Sequence, residues 1–160
     1  MTHVIAFNLF FACCLIFCLR YGGAPERAAI LAQAVAAMLT IAIIAFFPHA
    51  ASFTSLAEAV VLIDAALLAS LIVIALKANR LWTIALAGLQ LSTVLVHLSK
   101  ALAPALPASS YAIFAQFWAW PMLITTAWGT QSHCMRVKKE GQEQDWKPLW
   151  PRLAHESYTT

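Results

Sequence analysis

Charge is scarce in this chain, as is nearly everything that builds a soluble catalytic site. Only 10 lysines and arginines and 7 aspartates and glutamates occur among 160 residues, while 62% are hydrophobic. A soluble domain of this size leaves about a third of its buriable surface in water, and this composition, with a mean hydropathy of +0.77, offers too little polar surface to cover it. The net charge of +3 is small and split among short segments, so it excludes a nucleic-acid footprint and reads as topology signal instead. Four cysteines form neither a disulfide framework nor a metal site. Cys13, Cys14 and Cys18 share one apolar run and Cys134 lies far away, without the CxxC spacing of a zinc centre. They read as small apolar filler. No glycine-rich phosphate loop is present, and no serine or cysteine stands at a recognisable spacing from a base. No catalytic residue and no metal is expected.

What is present is apolar length. Five runs come near the ~20 residues a helix needs to cross about 30 Å of hydrocarbon. They cover about 4–19, 27–47, 56–76, 81–103 and 111–130. The expected fold is therefore all-α, a polytopic transmembrane bundle of five helices over 1–131, followed by a tail over 132–160. Tyr21-Gly22-Gly23-Ala24 breaks the first run, and Pro25-Glu26 restarts a helix with proline and an acid in its first turn. Ser55 and Glu58 have capping-box spacing at the start of the third span. Lys77-Ala78-Asn79-Arg80 is a short polar turn, which makes the third and fourth spans a tight antiparallel hairpin. Pro121 falls in the middle of the fifth run and predicts a kink there.

The charges set a direction. The residues ahead of the first run, Met1-Thr2-His3, lack the basic start of a cleaved signal peptide, so the first run is expected to remain as a helix. Arg20 and Arg27 flank the first loop, Lys77 and Arg80 the third, and Arg136, Lys138 and Lys139 follow the fifth run. The second and fourth loops carry no lysine or arginine. That alternation predicts an N-terminus outside and a cytoplasmic C-terminus. The tail contains Trp146 and Trp150, which read as interfacial anchors or as a docking peptide for a partner.

The fourth span carries the most informative pattern. Gln90, Thr93, His97 and Lys100 recur at spacings of three, four and three, so they share one stripe of a helix. Such a stripe is costly against lipid and must face protein or water. Asp64 on the third span lies at a matching depth, with it and His97 each about 10–12 Å from the same end. Gly88 and Ser92 form a small-xxx-small pair on a neighbouring face, where another helix approaches closely. Gln33 and Thr40 on the second span are read as interhelical hydrogen-bonding groups. No cofactor is implied. His97 is the one histidine deep in a span, and a bis-histidine heme site needs a second at equal depth. Asp64, His97 and Lys100 could instead fix the hairpin's register, or bind a ligand, pigment or quinone head group against an aromatic wall of Phe117, Trp118, Trp120 and Trp128, side chains that otherwise read as ordinary membrane packing.

The stretch from Asp64 through Leu76-Lys77-Ala78-Asn79-Arg80-Leu81-Trp82 to Gln90 and His97 is similar to small, uncharacterised multispan inner-membrane proteins of alphaproteobacteria. The resemblance implies a bacterial inner-membrane setting and carries no activity with it. Three functions fit the residues. The first is a non-catalytic accessory or scaffold subunit that packs against a larger membrane complex or against itself. The second is a small proton- or ion-conducting protein built on Asp64, His97 and Lys100. The third is an intramembrane enzyme, which would have to work from those three side chains alone.

Overall fold

Among the described residues there are five helices: α1 (Thr2–Tyr21), α2 (Ala24–Phe46), α3 (Phe53–Lys77), α4 (Leu81–Leu102) and α5 (Ala119–Glu140). The computed structural model describes residues 2–46, 53–78, 80–102, 117–141 and 146. Among these the sole strand-like feature is one antiparallel bridge between Ala78 and Trp146. The first four helices are long and apolar enough to cross a membrane. Large apolar side chains face outward along them, including Leu62 and Leu76 at 70% exposure and Leu81 at 85%. A soluble fold would bury such residues; lipid is the solvent they require.

The local chemistry explains most boundaries. The α1–α2 turn is Gly22-Gly23, with the Gly22 N–H donating to the Cys18 carbonyl at 2.9 Å and Arg27 N–H to Gly23 at 3.1 Å. Pro25 sits in the first turn of α2, where a missing N–H costs nothing. α3 begins at Phe53, so Ser55 lies inside the helix and does not open it as its spacing with Glu58 suggests. The α3–α4 turn takes three residues, and Ala78 N–H still bonds to Ile74 at 2.7 Å.

The fifth helix departs most from the sequence expectation. Residues 103–116 lie outside the described set, and with them the first part of the expected span. The helix then runs past Thr130 to Glu140, because no residue before Gly141 breaks it. Gly141 ends it at φ +77°, donating to the Val137 carbonyl. Pro121 stands in the first turn of this helix, where proline is tolerated, and the run ahead of it, against which a kink is expected, lies outside the described residues. The tail expected from 132 thus starts as two further turns of helix.

Neighbouring helices pack in chain order, α1 on α2, α2 on α3, α3 on α4 and α4 on α5, and α5 closes the ring against α1 while also touching α2. One core cluster joins α2, α3 and α4 through Ala29, Leu67, Leu71, Ile74 and Leu86. A second joins α1, α2 and α5 through Cys14, Cys18, Ile30 and Leu123. Two glycines make close approaches possible. A Cβ on Gly129 would stand 2.6 Å from the Trp82 indole, and one on Gly22 would stand 2.5 Å from the Cys18 carbonyl oxygen. Gly129→Val and Gly22→Ala should therefore each destabilise the bundle by about 1–3 kcal/mol. Gly88→Ala, where a Cβ meets nothing within 4 Å, should not. Thermal unfolding of the three variants in one detergent checks the contrast.

Candidate functional site

The α3–α4 hairpin brings three polar residues together. His97 Nε2 lies 2.7 Å from Asp64 Oδ2. The Gln90 amide nitrogen donates to Asp64 twice, to Oδ1 at 3.0 Å and to the backbone carbonyl at 3.1 Å. Both carboxylate oxygens are thus engaged, one by an imidazole and one by an amide. Gln90 is 2% and His97 6% exposed, while the Asp64 side chain is 20% exposed. The antiparallel geometry accounts for the match: α3 ends and α4 begins at one shared turn, so a residue well before that turn meets one equally far beyond it.

The other stripe residues do not join this group. Thr93 is buried, but its hydroxyl donates to the Leu89 carbonyl of its own helix at 3.5 Å. Lys100 is part of α4, and its side chain lies outside the described residues. The Gly88–Ser92 pair faces away from the bundle: nothing lies near Gly88, and the Ser92 hydroxyl turns back onto the Gly88 carbonyl at 3.1 Å. Trp146 is half-buried against the core cluster of α2, α3 and α4 and bridges Ala78, so this part of the tail lies on the chain's own hairpin turn. Trp150 lies outside the described residues.

Further polar contacts lie outside this group, and of them only the interhelical role of Gln33 is marked in the sequence. Glu26 is fully buried at the start of α2 and faces Arg80, whose Nε is 3.9 Å from Oε1. Neither Glu26 oxygen has a hydrogen-bond donor among the described residues, so the Arg80 charge is what compensates its burial. Positive-inside counting places Arg80 at the same end as Glu26, but each has a sufficient local role, as a topology charge and as a first-turn acid. The second contact ties α5 to its neighbours. Gln33 Nε2 donates to Thr126 Oγ1 at 2.9 Å, and the Thr130 hydroxyl lies 3.2 Å from Cys18 Sγ. Gln33 therefore bridges helices, whereas Thr40 bonds the Ala36 carbonyl of its own helix.

The chemistry available is limited and specific. The Asp64–His97 contact can hold one proton between a carboxylate and an imidazole. Because Nε2 is turned to Asp64, it is not presented to a heme iron, and His133 lies near the opposite end of the bundle on α5. No group of three or more histidine, cysteine, aspartate or glutamate side chains is placed for a metal ion among the described residues. Taken together, the helices define a polytopic membrane protein with a polar tie inside its central hairpin. No family model, curated protein or solved structure matches the chain.

Gln90 and His97 are buried and both bond to the partly exposed Asp64, so removing one member strands its partners. Asp64→Ala or His97→Ala should lower stability by about 1–3 kcal/mol, the cost of leaving a buried polar group unsatisfied. The double variant should cost less than the sum, with a coupling of about 1–2 kcal/mol. Replacing Asp64, Gln90 and His97 together by leucine should come close to wild-type stability. Unfolding in detergent across the full cycle measures each difference.

Proposed function

We propose that this chain is a bacterial inner-membrane protein that serves as a non-catalytic accessory or scaffold subunit. Its N-terminus lies outside and its C-terminus inside. The orientation is supported by charge: the α1–α2 turn, the α3–α4 turn and the end of α5 share one end of the bundle, and Arg20, Arg27, Lys77, Arg80, Arg136, Lys138 and Lys139 belong to those segments. Basic residues stay on the cytoplasmic side.

One observation carries the accessory reading: the outward face of α4 is suited to a close helix neighbour, and none of the described residues covers it at Gly88. Ala85, Gly88, Ser92 and Ser99 fall along it at three-, four- and seven-residue spacing. The two serine hydroxyls are already bonded within the helix, to Gly88 at 3.1 Å and to Leu95 at 2.8 Å. The face is therefore shallow and free of polar demand, which favours backbone approach by another transmembrane helix. A second reading, proton conduction through Asp64 and His97, is favoured by the 2.7 Å contact and by the partial exposure of Asp64.

Purification from native membranes in mild detergent should recover the protein in a larger species with defined companion chains. Gly88→Leu should reduce that recovery at least tenfold while leaving the thermal stability of the isolated chain unchanged. A lone small species from wild-type membranes overturns the accessory reading. For the second reading, proton flux into liposomes should fall to background on Asp64→Asn. Flux equal in wild type and variant sinks it.

A further inference from the structure

A cavity of about 630 Å³ opens between the first turn of α4 and the C-terminal half of α5, within the roughly 300–1,000 Å³ typical of small-molecule sites. It lies away from the Asp64 group, toward the basic end of the bundle. Its lining is graded along the membrane normal. Arg80, Arg136 and Ser132 form the end nearest the helix termini, and Leu81, Ala85, Thr125 and Trp128 line the remainder. On α5 the sequence Thr125, Trp128, Ser132, Arg136 steps by three, four and four residues, so all four belong to one helical face. That face spans about 16 Å along the axis, polar at one end and mainly apolar at the other. Because α4 runs antiparallel, Arg80 meets the Arg136 end and Ala85 lies one turn deeper. The two helices thus present the same gradient.

We propose that this cavity binds one anionic phospholipid, its phosphate diester held by Arg80, Arg136 and Ser132 and its acyl chains lying along Ala85 and Trp128. Charge complementarity selects the head group. Two guanidiniums and a hydroxyl line the same end of the cavity, and arginine matches phosphate oxygens through paired N–H donors. Among the described residues no carboxylate lines the cavity. Glu26 faces Arg80 from the protein side, fully buried and outside the lining; it already offsets the Arg80 charge, so Arg136 carries the net positive charge of the site and Arg80 adds N–H donors. The surroundings select a lipid over a free anion. The cavity is bordered by Leu81 at 85% and Trp128 at 69% exposure, residues that belong to the lipid-facing surface. A ligand entering there arrives from the bilayer.

Trp82 fixes the shape of the pocket. It lines the cavity and rests on Gly129 so closely that a Cβ there would overlap its ring. Its indole N–H is buried, with no acceptor among the described residues, so the ring is held by packing against Gly129 and not by a polar contact.

The test uses the full chain, delipidated in detergent, with added dioleoyl phosphatidylglycerol, dioleoyl phosphatidylcholine or inorganic phosphate. Native mass spectrometry should show a single retained phosphatidylglycerol that survives collisional activation at which phosphatidylcholine is lost. Half-saturation should be at least tenfold tighter for phosphatidylglycerol. Arg136→Gln, at a partly exposed position, should abolish that preference while the helical circular dichroism stays unchanged. Ala85→Trp, which fills the apolar end, should lower the affinity for phosphatidylglycerol at least fivefold. Equal retention of the two lipids by the wild type overturns the proposal without recourse to any variant. A phosphatidylglycerol adduct fully displaced by millimolar inorganic phosphate also overturns it, because the site would then be an anion site and not a lipid site.

Discussion

A polar side chain within hydrocarbon has no water to turn to, and this fold is organised around that constraint. Each such group on α2, α3, α4 and α5 must find a protein partner or bond back to its own helix. Asp64 meets this need across the hairpin through His97 and Gln90. Gln33 meets it on Thr126, which ties α2 to α5. The hydroxyls that face outward, Ser70, Ser92 and Ser99, all return to carbonyls four residues earlier. Apolar contact alone does not favour one helix arrangement over another in lipid, because acyl chains are as apolar as leucine. The polar ties therefore specify which helices meet and in what register.

The second constraint is backbone proximity, and glycine supplies it at two places. Gly22 lets the α1–α2 turn close beside Cys18 and Glu26, and Gly129 lets α5 lie against Trp82. Both are at the basic end of the bundle, where Glu26 and Arg80 form their buried pair. This end therefore combines two close backbone approaches with most of the charged side chains among the described residues. A buried ion pair contributes little net stability, since the desolvation of two charges offsets their attraction. Its value here is positional: it places the α3–α4 turn over the start of α2, and so sets the first turn of α4 next to α5.

The helices themselves are legible in the sequence because a run of about twenty apolar residues suits little besides a membrane span. The Asp64–His97 approach is legible for a simpler reason, that a short turn forces equal depth on residues equidistant from it. What spacing does not give is which neighbour a stripe residue bonds. Gln90 and Thr93 share a face, yet Gln90 crosses to Asp64 while Thr93 bonds Leu89 on its own helix. The amide is long and has two donors; the hydroxyl is short and finds its own backbone first. Glu26 and Arg80 are opaque to sequence reading because they lie 54 positions apart (80 − 26) and join α2 to the α3–α4 turn. Pro121 falls in the first turn of α5, and the apolar run ahead of it, where a kink would show, lies outside the described residues.

The position of α4 links these constraints to function. One side of it is locked to α3 by Gln90 and His97, and another is seated on α5 through Trp82 and Gly129. With two sides fixed, its third side, carrying Gly88 and Ser92, cannot rotate away. A helix that must receive a neighbour at close range benefits from such fixation, because the ordering cost has already been met when the chain folds. The polar trio then needs no chemistry of its own to matter. Held between α3 and α4, it fixes the angle of the small-residue face, which is what the proposed accessory role would require of it.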